Sequence, residues 1–118
     1  MNIEDLRQYC LSKKGATESF PFDQTTLVFK VMNKMFAVTD LEDDLAVVIK
    51  SDPEKIVAMR EQYPAVQPAR YFDKRHWTLV MIDGSIDPSL IRQWIDESYE
   101  LIVSKLPNKD QKMLNNDL

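Results

Sequence analysis

Thr25-Thr26-Leu27-Val28-Phe29-Lys30-Val31-Met32-Asn33-Lys34-Met35-Phe36-Ala37-Val38-Thr39 is the stretch that decides the fold class. Residues 25–32 are dense in β-branched and aromatic side chains and alternate as a strand does. Asn33-Lys34 then reads as a two-residue turn, because Asn tolerates the positive φ that tight hairpins require. Residues 35–39 return as the second arm. Asp40-Leu41-Glu42-Asp43-Asp44 is the next turn, and residues 45–50 make a third strand. Parallel neighbours would need a crossover of about a dozen residues between strands. Connections this short therefore imply an antiparallel meander.

Working outward, residues 3–14 show helical spacing of Ile3, Leu6 and Cys10, with Asn2 able to cap the start and Gly15 to end it. In Glu18-Ser19-Phe20-Pro21-Phe22-Asp23, Pro21 holds Phe20 extended and removes a donor, which predicts an edge strand or a loop. On the other side, Asp52-Pro53 opens a helix by cap and first-position logic. Ile56, Met59, Arg60 and Tyr63 share its face, and Pro64 ends it. Residues 65–73 contain Pro68 and little periodicity, so a loop or irregular strand is expected. Residues 76–82 are the last strand. Asp87-Pro88 opens a final helix lined by Leu90, Ile91, Trp94, Ile95, Leu101 and Ile102. Beyond Pro107, residues 108–118 read as a polar tail with a frayed end. The expectation is one domain over residues 1–107 plus that tail. Its class is α+β: two layers, an antiparallel β-sheet with helices on one face, in the order α-β-β-β-(β)-α-β-β-α.

The composition suits such a domain: 118 residues, 44% hydrophobic and 29% charged. A single cysteine, Cys10, cannot form an internal disulfide, which suits a reducing compartment. The acidic start lacks the apolar core of a signal peptide, and no stretch approaches the roughly 18 apolar residues of a membrane span. A cytoplasmic protein without a membrane partner is expected. The net charge of −4 argues against binding nucleic acid by bulk charge alone. Any such role needs a local patch.

One patch stands out, in Arg70-Tyr71-Phe72-Asp73-Lys74-Arg75-His76-Trp77. Cations can contact phosphates while aromatic rings stack on bases, and the same composition suits an anionic ligand or acidic peptide. The alternative places Phe72 and Trp77 in the core with the cations simply solvated. His76 is the one side chain that titrates near neutrality, so it is the obvious candidate base. Asp73 lies three residues before it, a spacing that points the two side chains to opposite faces of an extended segment. A structural or binding histidine is favoured over a catalytic one, and no catalytic residue is assigned. One His and one Cys are too few for a zinc site, and no metal or cofactor is expected. The carboxylates Asp40, Glu42, Asp43 and Asp44 read as a solvated hairpin tip rather than a cation site. Phe20-Pro21-Phe22 is either an apolar bracket for a partner or an aromatic cap on a sheet edge. Met32, Met35, Met59 and Met81 are core filler.

In order and spacing the landmarks resemble the MmcQ/YjbR family of small bacterial proteins. They are Phe20-Pro21-Phe22, the run from Thr26 to Val31, Lys34-Met35-Phe36, Lys50 with Asp52-Pro53, and Arg60 to Pro64. They continue with Pro68, Lys74 to Trp77, and Ser98-Tyr99-Glu100-Leu101 to Leu106. The resemblance spans about residues 1–107. It implies an α/β fold similar to frataxin and to type III secretion chaperones, and weak, salt-sensitive DNA binding through β-hairpin wings. Carried onto this sequence, the implied contacts are Lys30 and Lys34 beside the first hairpin turn, with Arg70, Lys74, Arg75, His76 and Trp77. Asp73 stands where the family usually carries a neutral Asn and adds a negative charge to the patch. A protein- or peptide-binding module, using the sheet face or the Phe20–Phe22 edge, is the alternative role. Oligomeric state is left open.

Overall fold

In the computed structural model, which describes residues 1–116, the chain runs α1 (Ile3–Leu11), β1 (Ala16–Ser19), β2 (Thr26–Val31), β3 (Lys34–Asp40) and β4 (Ala46–Lys50). It continues through α2 (Pro53–Gln62), β5 (Val66–Pro68), β6 (Trp77–Met81), α3 (Pro88–Ser104) and α4 (Asn108–Asn116). The strands form one antiparallel sheet in the order β1-β2-β3-β4-β6-β5. The expected α+β meander is present. Its edges are β1, which ends just before Phe20-Pro21, and the three-residue β5, which contains Pro68. Both edges are short, and a proline cannot donate to a further strand.

The first hairpin turns one residue earlier than its sequence suggests. Met32 and Asn33, at φ 47 and 67, are the two left-handed residues of the turn, and Lys34 already pairs with Val31. Two consecutive positive φ values mark a type I′ turn, whose twist matches that of the strands. Farther along the hairpin the register shifts: Phe29 pairs with Ala37, but Lys30 pairs with Met35. Phe36 is thus the extra residue of a bulge, and Phe36 and Ala37 both enter the main core.

That bulge would leave backbone groups unpaired between β3 and β4, whose direct pairing covers only residues 37–38 and 48–49. Ser98 of α3, fully buried, fills the gap. Its hydroxyl donates to the Phe36 carbonyl at 2.7 Å and accepts from the Lys50 N–H at 2.9 Å.

The sheet has two unequal apolar faces. Leu27, Phe29, Val31, Ala37, Val47, Ile49, Val66 and Val80 point into the main core with buried residues of all four helices. Helix α3 crosses β2, β3 and β4, α1 lies on β1, and α2 lies on β5. On the helix-free face, Val28, Val38, Val48 and Leu79 sit directly across from one another on successive strands. Ala69, Phe72 and Trp77 pack onto this row, so the segment between β5 and β6 roofs part of the second face.

Two expectations are corrected at the ends of the chain. Helix α1 stops at Leu11, three residues short of the expected end, with Ser12 as its C-cap, while Asn2 and Asp5 form the reciprocal cap at its start. Residues 108–116, expected as a polar tail, form α4, and its Leu114 is buried in the main core. Gly15, at φ +72, permits that docking, because a Cβ there would lie 2.6 Å from Leu114 Cδ1. Residues 117 and 118 of the expected tail lie outside the described residues.

Candidate nucleic-acid interface

Antiparallel order brings together the C-terminal ends of β2 and β4 with the N-terminal ends of β3 and β6. This end of the sheet carries Lys30, Lys34, Lys50 and the turn Asp73-Lys74-Arg75-His76. The opposite end carries Asp23, Asp40, Asp43 and Asp44. Four adjacent strands at ~4.8 Å spacing put the cations within an arc of about 15 Å. Lys34, Lys74 and Arg75 are exposed, and Lys30 is half-buried beside Met35.

The 73–76 turn is held from within and from both sides. The Asp73 carbonyl accepts from the His76 N–H at 3.2 Å and the Trp77 N–H at 2.9 Å. Its side chain accepts from the Arg75 N–H at 3.0 Å and lies 2.8 Å from His76 Nδ1. The expected separation of Asp73 and His76 onto opposite faces is therefore wrong, because a turn rather than an extended strand joins them. Arg60, in the last turn of α2, donates to the carbonyls of Lys74 (3.0 Å) and Trp77 (3.2 Å) and to Thr78 Oγ1 (3.3 Å). Just past β4, the Ser51 N–H donates to the His76 carbonyl at 3.0 Å. Lys74 and Arg75 are thus exposed side chains on a fixed backbone.

Asp73 stays ionised below the ordinary carboxylate range, first through the Arg75 N–H and then through His76. It offsets part of the positive charge around it. Trp77 is 9% exposed, 5.6 Å from the Phe72 ring, and so packs as scaffold rather than standing free to stack on a base. Arg70 is not with the other cations. It is exposed, its guanidinium lies 5.4 Å from the Tyr71 ring, and it lines a cavity with Phe22 and Asp44.

Lys50, which the sequence does not single out as a contact, joins the site. It pairs in register with Trp77, and its Nζ lies 5.9 Å from that ring. Burial, and then the charge of Lys105, lower its pKa, with Asp73 opposing. Only the long-range pairing of β4 with β6 brings it here, so periodicity could not have found it. Its alternation with Val48 on one face of β4 is the one local signal.

The Asp73–His76 pair resembles the orienting half of a catalytic dyad. Both side chains are substantially exposed, at 59% and 40%, and among the described residues neither is hydrogen-bonded to a Ser, Thr, Tyr or Cys side chain. Cys10 is fully buried in the main core, where burial pushes its thiol up to about 12. Among the described residues, no group of three or more His, Cys, Asp or Glu is placed to hold a metal ion.

The YjbR family model matches residues 11–101. The Escherichia coli K12 protein YjbR is 38% identical over 115 residues, covering 97% of this chain and 98% of the relative. The chain belongs to the YjbR family. A more distant E. coli O157:H7 relative, YbdF, is 33% identical over 94 residues, 79% of this chain and 77% of its own length. Among solved structures, a Deinococcus radiodurans protein of 35% identity superposes with a TM-score of 0.90, over 97% of this chain and 88% of that one. A Pseudomonas syringae protein of 22% identity has a TM-score of 0.75, covering 86% and 98%, and shares the fold. The six-stranded sheet with its helical layer is thus the YjbR-family architecture.

Proposed function

We propose that the protein is a non-enzymatic nucleic-acid-binding protein that grips the phosphate backbone at the basic end of its sheet. Lys30 and Lys34 flank the hairpin turn on one side, Lys74 and Arg75 extend from the pinned turn on the other, and Lys50 lies between them. The observation that carries the reading is the imbalance of charge along the strands: five cations against Asp52 and Asp73 at one end, and Arg70 against four aspartates at the other. It gives an acidic protein a local surface on which phosphate is tolerated. The buried Trp77 and the counter-charge of Asp73 favour weak binding dominated by phosphate contacts over base readout.

Four phosphate contacts would make log K fall with log salt at a slope of about −3 to −4. Anisotropy of a labelled duplex in low salt tests this. Binding should weaken with that slope and disappear in Lys74→Glu/Arg75→Glu. No binding at low salt, or binding unchanged in the double variant, rules the reading out.

A further inference from the structure

The acidic end of the sheet has a different character. Among the described residues six large apolar side chains are exposed, and four of them, Phe20, Phe22, Leu41 and Tyr71, border two cavities at this end. The cavities, about 970 and 760 Å³, share Asp40 and Asp43 and so meet around the β3–β4 loop. An apolar surface gathered in one place marks a contact site more often than scattered single residues do. The smaller cavity is floored by side chains from all five strands β2 to β6, including Val38, Val48 and Leu79. At ~4.8 Å per strand that trench is about 20 Å long, the reach of about six residues of extended chain.

The rim is already ordered. Asp23 accepts from the N–H groups of Thr25 (2.9 Å) and Thr26 (2.6 Å), fixing the turn that follows Phe20-Pro21-Phe22 and leads into β2. Tyr71 is held at φ 70 yet is 93% exposed, so a bulky residue occupies a costly backbone conformation with only the Arg70 guanidinium, 5.4 Å from its ring, against it. Such strain at a surface aromatic is what a binding loop shows. A backbone constrained beforehand lowers the ordering cost when a partner arrives. Around this apolar floor Asp23 and Asp40 serve loop hydrogen bonds. The carboxylates of Asp43 and Asp44 have no ion-pair or hydrogen-bond partner among the described residues. Arg70 is the one cation lining the trench, against four aspartates.

We propose that this trench docks an extended basic segment of a partner protein. Its aromatic or aliphatic side chains seat against Phe22, Tyr71 and Leu79, and its Lys or Arg side chains face Asp43 and Asp44. The charge excludes a phosphate backbone here, so the site is separate from the nucleic-acid reading and does not depend on it.

A displayed library of random dodecapeptides, panned against the full chain at low salt, tests the proposal. Enriched sequences should combine Lys or Arg with aromatic or aliphatic residues. A synthetic peptide of the leading sequence should lose about tenfold or more in affinity to Asp43→Lys/Asp44→Lys and to Tyr71→Ala. It should bind Lys74→Glu/Arg75→Glu as it binds the unaltered chain. Phe22→Ser, at a 65% exposed position, replaces Tyr71→Ala should that variant prove unfolded. Absence of enrichment, acidic selected sequences, affinity unmoved by the groove variants, or displacement of the peptide by duplex DNA would each overturn it.

Discussion

The hydroxyl of Ser98 stands in for a missing rung of the sheet, and removing it orphans a buried carbonyl and a buried N–H together. Leaving such groups unpaired costs about 1–3 kcal/mol, so Ser98→Ala should lower the unfolding free energy in urea by that much. A loss within experimental error would mean that water or a shifted backbone takes over its bonds. Cys10 makes a second residue-level expectation. Buried, and with its thiol pushed up to about 12, it should not react with an aromatic disulfide reagent until the chain unfolds. Asp73 bears directly on function. Asn in its place can still accept from the Arg75 N–H but carries no charge. Asp73→Asn should therefore tighten duplex binding by about two- to fivefold at low salt, the worth of one nearby exposed charge. Weaker binding in this variant would show that Asp73 matters for shaping the turn rather than for opposing phosphate.

At the scale of elements, α4 is the part that the sequence conceals. Its residues are polar apart from Met113 and Leu114, and its stability comes from one anchored leucine that reaches the core over Gly15. Leu114→Ala should cost about 2–4 kcal/mol, and Gly15→Ala should also destabilise, since φ +72 strains any side chain placed there. Thermal unfolding of both variants checks the docking; an unchanged midpoint for both would mean α4 is not held to the core. The four central strands and helices α1 to α3 are legible because alternation, caps and prolines are local signals, whereas the short edge strands β1 and β5 fall in segments that read equally as loop. The bulge at Phe36 is not legible, since an apolar residue reads the same whether it extends or interrupts a ladder. The pairing of Asp73 with His76 was missed for a related reason. A chain that pairs its own carbonyl with two following N–H groups is a turn, and nothing in Asp73-Lys74-Arg75-His76 announces it. Of the candidate cations, Lys30, Lys34, Lys74 and Arg75 do meet at one end of the sheet. Arg70 and Trp77 were grouped with them by sequence proximity, and the roofing segment sends one to the groove and the other inward.

Over the whole molecule, several carboxylates sit below their ordinary range in the folded state. Glu18 does so through Arg7, and Asp23, Asp83 and Asp87 through hydrogen bonds from neighbouring Thr or Ser groups. A lowered folded pKa means the unfolded chain binds protons first. The stabilisation is thus fully present above the ordinary carboxylate range, about pH 4, and is lost as pH falls from there through the lowered folded values. Urea midpoints should be flat near neutrality and fall below about pH 4; a midpoint that rises on acidification would contradict these assignments. The more consequential feature is polarity along the strands, cations concentrated at one end of the sheet and carboxylates with exposed aromatics at the other. Amide shifts followed by NMR while a short DNA duplex is titrated in low salt distinguish the two ends. A phosphate-gripping basic end shifts residues 30–35, 50 and 73–77 and leaves residues 22–23 and 40–44 unmoved. Shifts centred on the carboxylate end, or none at all, would contradict it.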